Sequence, residues 1–290
     1  MKLIIDENNV ETNKNIDNEK FVLLADLHLN KQLNQKMIDL VLSFLYENKV
    51  DAILIPGDIM NSSYYTDKIC LEKLEYLLKQ FGEISKTIIS LGNHDIYKMT
   101  NEQRNNFDRL NRINNIYALD NAQIKIGNIN FLGFSTSHKA YEVDKIKRNN
   151  IFIKEFSNAN FKIKKDEFNV LLNHHPKQVA SNYVQKNLSH LFKDIDLIVS
   201  GHLHNGYVPD EIEQFFKNTI KDYGISETPE LFPKKIISRI NYCRGMHSLK
   251  NSKLIITKGF RTYAGYIPSF IETNPHINEI NIVKTKKRKF

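Results

Sequence analysis

Short, continuous apolar runs alternate with segments of helical spacing along the first hundred residues. Phe21-Val22-Leu23-Leu24-Ala25 ends directly at Asp26, Ala52-Ile53-Leu54-Ile55-Pro56 at Gly57-Asp58, and Thr87-Ile88-Ile89-Ser90-Leu91 at Gly92-Asn93-His94-Asp95. Uninterrupted apolar stretches of this length are how strands covered on both faces read. Between them, Met37, Leu40, Val41, Phe44 and Leu45 recur at helical spacing over Met37 to Tyr46. Ile69, Leu71, Leu74, Leu77, Leu78 and Phe81 do the same over Ile69 to Phe81. The resulting βαβαβ order predicts parallel strands joined by right-handed helical crossovers, and hence an α/β fold.

Further along, Ala122 to Ile126 and Ile129 to Phe134 flank Gly127-Asn128, a hairpin signal. Phe168 to Leu172 runs into Asn173-His174-His175-Pro176, and Ile195 to Ser200 into Gly201-His202-Leu203-His204. Lys253 to Thr257 and Ile277 to Val283 read as closing strands. Residues 209–240, with a helical patch over Ile212 to Phe216 and interspersed prolines, are expected to form a lid or surface insertion. No repeat or Gly/Ser linker divides the chain. One domain is therefore expected over 20–284, with an N-terminal extension over 1–19 and a basic tail over 285–290.

A hydrophobic fraction of 41% and a charged fraction of 26% supply a core and exclude wholesale disorder. The net charge of +8 favours acidic ligands. Part of it lies in Lys284-Thr285-Lys286-Lys287-Arg288-Lys289, read as a solvated tail rather than a nucleic-acid arm. Cys70 and Cys243, far apart, form neither a disulfide framework nor a zinc spacing and read as thiols of a reducing compartment. Met1 to Lys20 carries no apolar stretch of signal-peptide type, and no run approaches a membrane span. The expected location is cytoplasmic.

The clusters at the strand ends change the picture most. In open α/β sheets, ligand sites form beyond the carboxyl ends of the strands, so the fold would gather all five into one crevice. They offer oxygen from Asp26, Asp58 and Asn93, and nitrogen from His28, His174, His202 and His204. Mixed imidazole and carboxylate donors suit Mn, Fe or Zn better than calcium. Seven side chains are too many for one tetrahedral ion, but they fit two ions about 3.5–4 Å apart that share a carboxylate. Asp58, alone on its loop, is the expected bridge. Asp26 with His28, and His202 with His204, stand two apart, a spacing that aims both donors to one side in extended backbone.

A water shared by two such ions is acidified to hydroxide, and the cations neutralise phosphate oxygens, so the matching reaction is in-line hydrolysis of a phosphate ester. His94, beside Asn93 and not required as a ligand, is expected to protonate the leaving oxygen, with Asp95 orienting it. His174 and His175 can exchange roles on this reading. Arg244 and Arg261 can reach a substrate phosphate. Tyr64-Tyr65 either lines the entrance or packs, while His138, His190, His247 and His276 read as surface or packing residues. The rivals are a nuclease, suggested by the basic charge, and a non-catalytic interaction module. The latter would be expected to have lost some of these side chains.

The ordered set Asp-x-His, Gly-Asp, Gly-Asn-His-Asp, His and Gly-His-x-His resembles the calcineurin-like metallophosphoesterase superfamily over roughly residues 20–284. The resemblance implies a four-layer α/β/β/α sandwich, two mixed sheets packed face to face and flanked by helices. It implies one metal held by Asp26, His28, Asp58 and His204, and a second by Asp58, Asn93, His174 and His202. His94 is then the catalytic histidine, supported by Asp95, and His175 a pocket residue. Ser200-Gly201-His202-Leu203-His204, Arg244-Gly245, Lys258-Gly259-Phe260, Arg261 and Asn274-Pro275-His276-Ile277 are similar to the small bacterial YkuE/YaeI-like members. Ala25, Leu203 and Asn205-Gly206-Tyr207 depart from the usual pattern. None of these departures touches a ligand, so they bear on substrate preference alone.

Overall fold

In the computed structural model, residues 2–31, 35–203, 245–260 and 274–285 are described. The apolar runs are strands: β2 (Glu19–Leu23), β3 (Ala52–Pro56), β4 (Lys86–Ser90), β8 (Phe168–Asn173) and β9 (Leu197–Ser200). β1 (Ile4–Thr12), β5 (Ile116–Ala118), β6 (Ala122–Ile126), β7 (Ile129–Phe134), β10 (Gly245–Ser248), β11 (Lys253–Ile256) and β12 (His276–Lys284) complete two six-stranded sheets. Their orders are β1-β12-β2-β3-β4-β5 and β10-β11-β9-β8-β7-β6. β2, β3 and β4 are mutually parallel, as the βαβαβ order requires, and β6 with β7 is the expected antiparallel hairpin.

The sheets face each other because successive side chains of a strand leave opposite faces. Phe21, Leu23, Leu54 and Ile88 of the first sheet meet Phe131, Val170, Leu172 and Val199 of the second in one buried cluster. On the outer face of the first sheet, Val22, Ile53, Ile55 and Ile89 pack against α1 (Gln35–Glu47) and α2 (Lys68–Ile84). Short α3 (Asn93–Ile96) and α4 (Asn101–Arg109) follow β4. The outer face of the second sheet, with Leu132, Phe134, Leu171 and Ile198, is covered by Phe152 and Phe156 of α6 (Lys145–Asn158), which follows the short α5 (Lys139–Glu142). Val179 of α7 (Pro176–Val179), Val184 of α8 (Asn182–Asn187) and Phe192 of α9 (Ser189–Phe192) complete that layer. The layering is α/β/β/α, the four-layer sandwich the resemblance implied.

The segment expected as an extension over 1–19 is corrected in part. Ile4–Thr12 pairs along the whole of β12 as a nine-residue parallel edge strand. Only alternate side chains of its second half (Asn8, Val10, Thr12) are buried, so backbone pairing rather than an apolar run makes it a strand. Lys14 then staples the N-terminal segment to the second sheet, reaching Asp196 Oδ2 and the Glu167 carbonyl at 2.6 Å each. The expected lid over 209–240 lies outside the described residues, as does the basic tail beyond Thr285. Among the described residues, no helix is long and apolar enough to cross a membrane.

Candidate metal centre

The carboxyl ends of β2, β3, β4, β8 and β9 converge, and the described clusters come together there. The way they do so differs from the expected extended backbone. Asp26, His28, Asp58 and His202 all adopt left-handed conformations, with φ of 55°, 44°, 53° and 73°. Each such non-glycine residue costs on the order of 1–3 kcal/mol and persists only where surrounding contacts enforce it. Those contacts are present. The Asp26, His28 and Leu29 amides donate to the Gly57, Asp58 and Ile59 carbonyls at 3.3, 3.0 and 2.7 Å, and the His202 amide donates to both oxygens of Asp26 at 3.1 and 3.0 Å. Close backbone approach is also required. A Cβ at Gly92 would collide with the Asp58 carboxylate, and one at Gly259 (φ 72°) would lie 2.7 Å from the Asp26 Cβ.

Asp58 sits at the middle of the cluster and is almost fully buried. Its Oδ1 accepts the His94 amide at 2.8 Å, while Oδ2 lies 3.1 Å from His174 Nε2 and 3.9 Å from His28 Nε2. Two groups of donor atoms lie within 4.8 Å of one another, His28–Asp58–His94 and Asp58–His174–His202, and Asp58 belongs to both. Asp26 Oδ1 is 3.9 Å from His174 Nε2, and His202 Nδ1 is 3.3 Å from it. His174 Nδ1 donates to the Pro56 carbonyl at 2.9 Å, which fixes the tautomer and turns Nε2 toward the carboxylates.

The donor set fits cations. Buried carboxylates and imidazole nitrogens converging without a counter-charge are costly. Asn93 Oδ1 is likewise buried with no hydrogen-bond partner, as an amide ligand of a cation would be. Without cations, protons take their place. Burial pushes Asp26 up to about 8. Burial disfavours charge on His174 too, but Asp58 and Asp26 outweigh it and raise the imidazole to about 9. Burial opposes ionisation of Asp58, yet the charge and hydrogen bond of His174, with His28 and His94 behind it, hold that carboxyl well below the usual range. Burial lowers His28 to about 4 and His202 to about 3, leaving both neutral, the form in which an imidazole is able to bind a cation.

His94 lies with its ring edge-on to His28, centroids 4.9 Å apart. The expectation that Asp95 orients it is corrected. The oxygen at His94 Nδ1 is Asn61 Oδ1, at 3.0 Å. Asp95 Oδ2 accepts the Asp58 and Gly92 amides at 2.7 and 2.8 Å, and Oδ1 accepts the Met60 amide at 3.1 Å and the Tyr65 hydroxyl at 3.0 Å. Its carboxylate thus ties the β3 loop to the β4 turn. Burial and the Asp58 charge push it up to about 7, against donors that favour the anion. Tyr65 is fully buried and edge-on to Phe107, and Tyr64 packs on the same core, so this pair is structural.

His175, expected as a pocket residue, is buried behind His202, with ring centroids 4.3 Å apart and its other neighbour Tyr141 stacked at 5.7 Å. Burial drives its pKa well down, so it is a neutral packing partner of His202 and carries no charge toward an anion. His204, Arg244 and Arg261 lie outside the described residues. Asn61, Gly259 and Tyr141 belong to the centre and were not anticipated as site residues. Nothing about an asparagine three positions past Asp58, or a tyrosine before α6, marks it in a single sequence.

The family model for calcineurin-like phosphoesterases matches residues 19–206. The chain is 30% identical over 189 residues to an uncharacterized metallophosphoesterase of Helicobacter pylori, covering 65% of this chain and 45% of the relative. It is 25% identical over 210 residues to an uncharacterized metallophosphoesterase of Campylobacter jejuni, covering 71% and 50%. The chain therefore matches about half the length of these curated relatives. A dimetal phosphatase from Danio rerio superposes with a TM-score of 0.42 at 11% identity, over 83% of this chain and 87% of that one. With a family match over 19–206 that takes in the strand-end clusters from Asp26 to His204, this chain belongs to the calcineurin-like phosphoesterase family.

Proposed function

We propose that the chain hydrolyses phosphate esters at a centre for two transition-metal ions, Mn, Fe or Zn. The observation that carries this reading is the sharing of Asp58 between two groups of three donors, with the buried, unpartnered Asn93 oxygen on the same turn as His94. Asp26, His28, Asp58 and His204 would hold one ion, and Asp58, Asn93, His174 and His202 the other. Such a pair supplies Lewis acidity toward phosphate oxygens and a nucleophile at neutral pH.

The chain's own side chains do the rest. Pro56 keeps His174 in the tautomer that presents Nε2. Asp26 holds the His202 loop through its amide. Asn61 accepts from His94 Nδ1–H, so the proton that the departing oxygen takes up is the second one, on Nε2 of the imidazolium, and its loss leaves the neutral Nδ1–H form.

The test is hydrolysis by manganese-reconstituted protein of a panel of aryl mono- and diesters, nucleotides, pyrophosphates and nucleic acids, with Asp58→Asn as control. Turnover should vanish in that variant, because it weakens both ion positions at once. Wild-type rates in Asp58→Asn would overturn the reading. Cleavage confined to nucleic acid, weakening steeply with salt, would point instead to the nuclease.

A further inference from the structure

The two imidazoles that share a donor group with Asp58 are held by different means. A metal-binding histidine usually spends its other ring N–H on a carbonyl or carboxylate, which fixes the ring. His174 follows this rule, through the Pro56 carbonyl at 2.9 Å. His202 does not. Among the described residues, the one group at hydrogen-bond distance from its ring is His174 Nε2, 3.3 Å from Nδ1. Where both of those nitrogens serve a cation, neither can orient the other.

Packing takes over at His202. His175 lies against it with centroids 4.3 Å apart and planes at 35°. Tyr141 meets both rings at 5.7 Å and lies nearly parallel to His175, at 22°. The three rings form a closed cluster, with His174 edge-on to His202 at 5.0 Å. His175 Nδ1 is buried without a hydrogen-bond partner, so the shape of that ring accounts for its place better than its polarity does. Tyr141 is anchored from outside the donor groups. Burial and the Asp58 charge push its phenol well up, against a hydrogen bond with Thr136, so it stays neutral and is no anionic ligand. Thr136 Oγ1 in turn accepts from Gln178 Nε2 at 3.4 Å, on the α7 helix that begins at His175.

We propose that Tyr141, pressing on His202 directly and through His175, is a positioning residue for the ion assigned to Asp58, Asn93, His174 and His202. Its ring does for His202 what the Pro56 carbonyl does for His174. The inference deepens the phosphoesterase reading and rests on its assignment of His202 as a ligand.

The test is binding of cobalt(II) to metal-free protein, followed by calorimetry and by the visible absorption of the bound ion, and it needs no turnover. The wild type should take up two ions. In Tyr141→Ala one binding step should weaken about tenfold or more, as when a metal ligand loses its outer partner, with the other step unchanged. Tyr141→Phe keeps the ring and should keep wild-type binding and absorption. Tyr141→Leu fills much of the volume without a ring, so it should follow Tyr141→Ala and stands in for it if that variant fails to fold. Once His202→Ala has removed the ligand, adding Tyr141→Ala should change cobalt binding no further.

Wild-type binding in Tyr141→Ala and Tyr141→Leu, equal weakening of both steps, or a loss in Tyr141→Phe as large as in Tyr141→Ala overturns the positioning role and leaves the phosphoesterase reading intact. The expected binding pattern with no hydrolysis of any ester supports the positioning role and overturns that reading. Failure of the wild type to take up ions overturns both.

Discussion

Asn61 offers the sharpest test of how the site works, because its side chain touches His94 and is not among the side chains proposed to hold the ions. Asn61→Ala removes the 3.0 Å contact that selects one tautomer and one ring orientation of His94. One hydrogen bond of this kind is worth about 1–1.5 kcal/mol, so kcat should fall roughly tenfold, with an upper bound near the hundredfold typical of lost outer-shell partners. Metal content should be unchanged. Asn61→Asp replaces a neutral acceptor with a carboxylate, which favours the imidazolium. If His94 is the general acid, the alkaline limb of the kcat profile must then move up, since the donor keeps its proton to higher pH. The assay is steady-state kinetics on a simple ester from pH 5 to 10, with metal analysis of each preparation. Wild-type kcat and pH profile in both variants would refute the reasoning, and loss of one ion in either would show that Asn61 acts through the metal centre.

Three further outcomes follow from the same geometry. His94→Ala should lower kcat by about 10²–10⁴ with both ions retained, and loss of metal would instead make His94 a ligand with His28 and Asp58. Asp95→Asn places an amide N–H₂ against the Met60 amide, leaving a buried donor unpaired at about 1–3 kcal/mol, so the metal-loaded protein should melt some ~3–10 °C lower. An unchanged melting temperature would contradict its role as the tie between loops. Metal-free protein holds protons on His174 to about 9 and on Asp26 to about 8, both above their unfolded values. The folded state therefore binds more protons, and apo stability should fall as pH rises from about 6.5 to 9. Cation binding near pH 7 should release protons, visible as buffer-dependent calorimetric heats, and heats independent of buffer would sink this account.

Much of the architecture was legible along the chain because its central strands are covered on both faces. Val22, Ile53, Ile55 and Ile89 pack toward helices while Phe21, Leu23, Leu54 and Ile88 pack between sheets, so each run reads as unbroken apolar sequence ending at a polar cluster. Edge strands carry no such signal. β1 went unread as a strand because backbone pairing with β12, rather than side-chain burial, defines it. The three-residue β5 and the half-exposed β10 are too short or too polar to stand out.

The chemistry divides along the same line. Residue types at strand ends determine by themselves that Asp26, His28, Asp58, Asn93, His174 and His202 can serve metal ions, because α/β topology brings carboxyl ends together. Which carboxylate the two donor groups share, which group faces His94, and what lies behind His202 depend on contacts between segments distant in the chain. Asp95 stands beside His94 in sequence yet spends its carboxylate on Asp58, Gly92, Met60 and Tyr65, while Asn61, thirty-three positions upstream, faces the imidazole. Adjacency along a backbone sets only where a side chain begins. Left-handed turns at Asp26, His28, Asp58 and His202, enforced by hydrogen bonds from neighbouring loops, decide where it ends.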